Sequence, residues 1–333
     1  MLLRDVCLMG ALLLFGIGVV AVSAQEMPML TPPPGMGIDA NAKDALSLNF
    51  PGGTVRDLAV YLQGVTGEAI AVTGAVDRDV RAFQFPVPKG EMLRRIVGGM
   101  AQVAFRPGYL LAPLERPNPE QPTDFALASR ELEEKRDLTE VGPLKQDAVV
   151  LATALKQLSD TMVMPILIEG TAPPAPLSID LPKLPVHEVI AKLAEQCKLQ
   201  AKPVQVMFGL TADNLEEAMK FVTDEEMAEE FNARMDMFSA MPPDMLQTAV
   251  QWMYGEYRKL SDMERAGMMQ FMGKFMGVLQ NRFAGIQGAE GDRLRGGLRD
   301  MAQFGLQFYG NLPPGERTEL QPLAEEFLGI IGK

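Results

Sequence analysis

Between residues 46 and 210 the apolar positions follow one rhythm twice. Val55, Leu58 and Leu62 are spaced as on one face of a helix and lead into the apolar run "AIAV" (69–72) and a turn at Gly74. Phe83 and Phe85 then alternate with polar neighbours up to Pro86, the period of a strand with one buried face. Helical spacing returns at Leu93 and Val97, and a hairpin around "FRPGYLL" (105–111) closes the unit. The same order recurs with Leu151, Leu155 and Leu158, then "PILI" (165–168) and Gly170, then Ile179, Leu181 and Pro182, then Val189 and Leu193, and finally "AKPVQVM" (201–207). The predicted unit is βαββα plus a terminal hairpin, present twice.

A shift of 96 residues aligns 46–114 with 142–210 without a gap, matching Leu62 to Leu158, Ile70 to Ile166, Gly74 to Gly170, Pro86 to Pro182 and Pro107 to Pro203. Identities are too few to argue from. The order of the predicted elements carries the repeat.

After Leu210 the strand pattern stops. Helical stripes follow: Met227/Phe231/Phe238, Leu246/Ala249/Val250/Met253/Tyr257, Met268/Met272/Phe275/Met276/Leu279/Phe283, and Leu294/Leu298/Met301/Phe308. "LSDMER" places Ser261 as an N-cap with Glu264 completing a capping box, and "MPPDM" and "LPPGER" put prolines in first turns. Gly273 and Gly277 are expected to let helices approach closely. The fold class is therefore α+β, two small modules in tandem plus an all-α C-terminal bundle. The boundaries are a leader at 1–24, a Pro/Gly-rich linker at 25–45, modules at 46–114 and 142–210, a linker at 115–141 with a short charged helix pattern ("ASRELEEKRDLTEV"), and a Met-rich helical domain at 211–333.

The first copy resembles the short N-terminal domain shared by secretins and TonB-dependent receptors. The matching residues are Leu48 and Phe50, Leu58, Leu62 and Thr66-Gly67, Ile70 and Val72, Phe83 and Phe85, and Met92, Leu93, Ile96 and Val97. The second copy is similar from Leu151 to Met207, with "AEQCKLQAK" in place of the family's closing segment and a weak first strand, "VGPLKQ". The resemblance implies a periplasmic module that contacts partner proteins of the envelope or a secretion system, through sheet edges or helix faces. A secretin would continue into a pore and a receptor into a plug and barrel, whereas this chain continues into helices.

Composition narrows the setting. "CLMGALLLFGIGVVAV" followed by "VSA" reads as a secretory signal cleaved after Ala24, so that a periplasmic or secreted chain begins at Gln25. Its apolar run is short for a span of about 20 residues. Cys197 is then the one remaining cysteine, and no internal disulfide forms. With 31 Lys and Arg against 43 Asp and Glu, the formal charge of −12 disfavours nucleic acid and anionic membranes. The oligomeric state is not written in the pattern.

Candidate chemistry is sparse. His187 is the only histidine and Cys197 lies ten residues on, roughly 15 Å along a helix at 1.5 Å per residue. No nucleophile elbow or phosphate loop occurs, and "TDEEMAEEF" lacks calcium-loop spacing and reads as a solvated helix face. No cofactor is expected. Met268, Met272 and Met276 fall one turn apart, and thioethers in an oxidising compartment bind cuprous ions. Interleaved Phe271 and Phe275 make an adaptable apolar core the stronger reading. The hairpins at 103–112 and 199–208 offer open sheet edges, so Tyr109, Leu110, Leu111, Gln205, Val206 and Met207 are the partner-binding candidates. The sequence thus points to a non-enzymatic, exported interaction scaffold, with a periplasmic copper-binding protein as the alternative and an exported enzyme of unknown type as a third reading.

Overall fold

The computed structural model describes residues 45–88, 93–94, 97–98, 101–113, 139–239, 258 and 260–331. The expected signal at 1–24, all of the 25–45 linker but Ala45, the stretch 115–138, the stripe from Leu246 to Tyr257, and Met92 and Ile96 lie outside these residues. The protein is mixed α/β with a C-terminal helical region. In chain order the first part holds β1 (Ala45–Phe50), β2 (Gly53–Thr54), α1 (Val55–Thr66), β3 (Ile70–Gly74), β4 (Asp79–Val80), β5 (Phe83–Pro88) and β6 (Val103–Pro113). The second part holds β7 (Glu140–Val141), β8 (Leu144–Val150), α2 (Leu151–Met162), β9 (Ile166–Ile168), β10 (Pro176–Leu181), β11 (Leu184–Pro185), α3 (Val186–Gln196) and β12 (Leu199–Gly209). The helices α4 (Leu215–Met219), α5 (Asp224–Ser239), α6 (Asp262–Gly285), α7 (Gly288–Asn311) and α8 (Pro314–Ile331) follow.

Two compact units result. One comprises Ala59–Thr73 and Phe105–Met207, and the other comprises the described residues up to Leu58, Gly74–Ala104 and those from Phe208 onward.

The Phe105–Met207 unit is built on a four-stranded sheet of order β3-β12-β6-β9. Strands β6 and β9 run parallel, with Tyr109 opposite Ile166 and Leu111 opposite Ile168. Helix α2 buries Leu151, Ala154, Leu155 and Leu158, and α3 buries Val186, Val189, Ile190, Leu193 and Ala194. Both sets follow the three- and four-residue spacing of one helix face. These residues join Tyr109, Leu111, Ile179 and Leu181 in one core, where each fully buried Leu or Ile contributes about 1.5–3 kcal/mol.

In the other unit β1 pairs antiparallel with β5, setting Phe50 opposite Phe83 with ring centroids 5.3 Å apart. The helices share a core that includes Met227, Phe231, Met268, Met272, Met276, Phe283, Leu294, Leu298 and Phe327. Two start signals act where the sequence puts them, while "MPPDM" (241–245) lies outside the described residues. Ser261 and Glu264 form the expected capping box, and Pro314 opens α8. Two further boxes appear, Thr54 with Asp57 ahead of α1 and Thr223 with Glu226 ahead of α5. The second lies in the acidic run, whose Met227, Ala228 and Phe231 are buried while Asp224, Glu225 and Glu229 form an exposed face. Close helix approach does not come at Gly277. A Cβ on Gly277 would meet nothing within 4 Å, whereas one on Gly305 would lie 2.1 Å from the Phe327 ring.

Equivalent positions 96 residues apart share more than pattern. Helices α1 and α2 begin at Val55 and Leu151, β3 and β9 at Ile70 and Ile166, and β6 and β12 at Val103 and Leu199. Left-handed backbone occurs at Gly52 and Ala148, Gly67 and Val163, Gly74 and Gly170, and Gln102 and Lys198. Even single hydrogen bonds match: Tyr109 N–H donates to Pro165 C=O at 3.1 Å, and Gln205 N–H to Ala69 C=O at 2.8 Å.

The terminal hairpins are the main departure. Val103–Pro113 and Leu199–Gly209 are each one eleven-residue strand, and β6 and β12 lie side by side in the sheet. The Pro-Gly at 107–108 lies within β6 and makes no hairpin turn. Its glycine instead admits a close backbone crossing, since a Cβ at Gly108 would stand 2.3 Å from Pro165 O. Pro203 sits inside β12 and interrupts it no more than Pro107 does β6.

Candidate functional site

The six partner-binding candidates come together, but in the core. Tyr109, Leu111, Gln205, Val206 and Met207 are buried, and Leu110 is half-buried. All lie on β6 and β12, the two inner strands of the sheet. Inner strands have neighbours on both sides, so the free edge foreseen at these residues is not there. Among the described residues the outer strands of this sheet are β3 and β9, with Ile166, Leu167 and Ile168 half-buried.

Met268, Met272 and Met276 are 1%, 1% and 0% exposed. They share the helical core with Phe283, Leu279 and Phe231, where long, polarizable thioethers fill irregular space. A cuprous ion at these sulfurs would have to open that core.

His187 and Cys197 mark opposite ends of α3, as the sequence spacing required, and so do not form a nucleophile and base. Burial raises the Cys197 thiol above its ordinary value, which keeps it protonated at neutral pH. Among the described residues no group of three His, Cys, Asp or Glu could hold a metal ion.

The strongest electrostatic feature was not foreseen. Arg81, two residues before β5, donates through Nη2 to Glu264 Oε1 at 2.6 Å, and both side chains are almost fully buried at 6% and 4% exposure. Glu264 Oε2 accepts from Ser261 N–H at 2.6 Å and from the Ser261 hydroxyl at 2.7 Å. One carboxylate therefore caps α6 and fixes the guanidinium. A buried carboxylate is tolerable only when paired and hydrogen-bonded in this manner. The sequence showed the Ser261–Glu264 half; its partner is 183 residues away and carried no local signal.

Arg78 lies nearby in the chain and serves the backbone. Its Nη2 donates to Ala101 C=O and to Gln102 C=O, tying the turn after β3 to the start of β6. Burial pushes its guanidinium down to about 10, against the opposing charge of Asp79. At the surface, Asp57 is held below the usual carboxylate range by the Thr54 backbone N–H and then the Thr54 hydroxyl. Arg282 donates to Val222 C=O at 2.6 Å and Met219 C=O at 2.7 Å, closing the end of α4. The polar groups described here fasten elements to one another.

No family model, curated protein or solved structure matches the chain.

Proposed function

We propose that this protein is a non-enzymatic interaction scaffold of the cell envelope, exported by its N-terminal leader and built on two copies of a secretin-type N-terminal module followed by a Met-rich helical domain. The observation that carries the reading is the coincidence of backbone conformation at positions 96 apart, above all the four left-handed pairs from Gly52/Ala148 to Gln102/Lys198. Left-handed residues outside glycine are uncommon; Gln102/Lys198 is such a pair at both positions, and its recurrence at the same offset as the glycine-containing pairs supports a duplicated unit. With Tyr109 to Leu111 and Gln205 to Met207 inside the sheet, whose outer strands are β3 and β9, we take β9 as the edge that receives the partner strand.

A photo-crosslinking residue at Leu167 in living cells tests this. It should capture an envelope protein, while the same residue at buried Val206 should not. Capture of none at Leu167, or of cytosolic proteins alone, would refute the scaffold reading. Mature protein should begin at Gln25, and exported protein that retains residues 1–24 would show the leader reading wrong.

A further inference from the structure

In the central sheet, no two neighbouring strands come from the same half of the chain. Residues 45–113 contribute β3 and β6, residues 139–209 contribute β9 and β12, and the order β3-β12-β6-β9 alternates them. The rungs from Tyr109/Ile166 to Leu111/Ile168 join the earlier half to the later, as does the bond from Gln205 N–H to Ala69 C=O. The buried Arg81–Glu264 pair crosses the same divide. The covalent link between the halves is the single stretch 114–138.

We propose that a second copy of this chain is a partner for the sheet, through reciprocal exchange in which β6 of one chain lies between β9 and β12 of the other. This inference does not depend on the scaffold reading. Exchange needs no new surface, because every strand pair of the four-stranded sheet and the Arg81–Glu264 bond re-form between chains from the same atoms, while the remaining pairs stay within one half. The opposing term is the covalent tether, which holds the halves of one chain at an effective concentration taken as on the order of millimolar. The closed monomer therefore dominates when the chain folds in dilute solution, and the exchanged dimer grows as folding takes place in concentrated solution. Once formed, either species is kinetically trapped, since interconversion requires opening the sheet.

The test uses the full chain in a Cys7→Ser, Cys197→Ser background. Leu110→Cys is placed in one preparation and Leu167→Cys in another; these residues face each other across β6 and β9, within reach of a disulfide. The two are unfolded together, refolded at a series of concentrations and oxidised. A disulfide between chains, mapped to 110–167, should rise at least tenfold in yield between roughly 1 μM and 1 mM refolding, around the tether's effective concentration. It should not form when the two preparations are mixed already folded. Native mass spectrometry of the unmodified chain should show the doubled mass rising in parallel and persisting after dilution. The chain carrying both cysteines should close 110–167 within itself in dilute refolding. Failure of that internal bridge would remove the register on which exchange rests. An internal bridge with no interchain species at any concentration overturns the proposal, and so does equal crosslinking of preparations mixed while folded.

Discussion

At the scale of single residues the Arg81–Glu264 pair is where one substitution does most. Removing the guanidinium leaves a buried carboxylate held by Ser261 alone, and breaking such a pair costs about 3–5 kcal/mol. Arg81→Ala should lower the urea midpoint accordingly, whereas Lys156→Ala, at an exposed pair with Asp160, should cost under about 1 kcal/mol. Equal shifts in the two variants would show that the buried pair does not hold the unit. The methionines separate just as sharply. Met263 is 61% exposed, five residues before the buried Met268, so dilute peroxide should oxidise Met263 first and spare Met268, Met272 and Met276 until the protein unfolds. Peptide mapping that finds all four oxidised at one rate would contradict the core placement.

Among elements, the helix starts were legible because a capping box is a local statement: Ser or Thr and an acid three residues on need no knowledge of the rest of the chain. The helix faces of α2 and α3 were legible for the same reason. Strand partners were not. The alternation of Ile179 and Leu181 says which side is buried but nothing about which strand lies alongside, and Pro107-Gly108 satisfies a turn and a close crossing equally well. The comparison of equivalent positions yields a test of its own. Val163 ends α2 in the left-handed region at φ 51°, where a β-branched residue is strained, and its counterpart is Gly67. Val163→Gly should relieve that strain and stabilise by about 1 kcal/mol. A loss of stability in thermal unfolding would mean that the Val163 side chain contributes more than its backbone costs.

At the scale of the whole molecule, the alternating sheet makes the two halves of the α/β region depend on each other. A methyl at Gly108 would press on Pro165 O and disturb β6 where it meets β9. Gly108→Ala should therefore reduce amide hydrogen-exchange protection in β3 and β12 as well as in β9, because one cooperative unit opens together. Protection lost in β9 alone would show that the halves open independently. The interleaving itself escaped the sequence reading, since a repeat that is regular along the chain predicts separate modules and the pairing that joins them is non-local.

The position of β6 also bears on time. Both of its sheet neighbours, β9 and β12, lie later in the chain, and β12 ends at Gly209. At roughly 5–20 residues per second of synthesis, the interval between completing β6 at Pro113 and completing β12 at Gly209 is about 5–20 s. Throughout it, a nascent chain carries an apolar strand with unmet backbone groups on both sides. A newborn copy is therefore most vulnerable to a neighbouring nascent chain on the same message, and a holding chaperone that binds "YLLA" would act before the later half arrives.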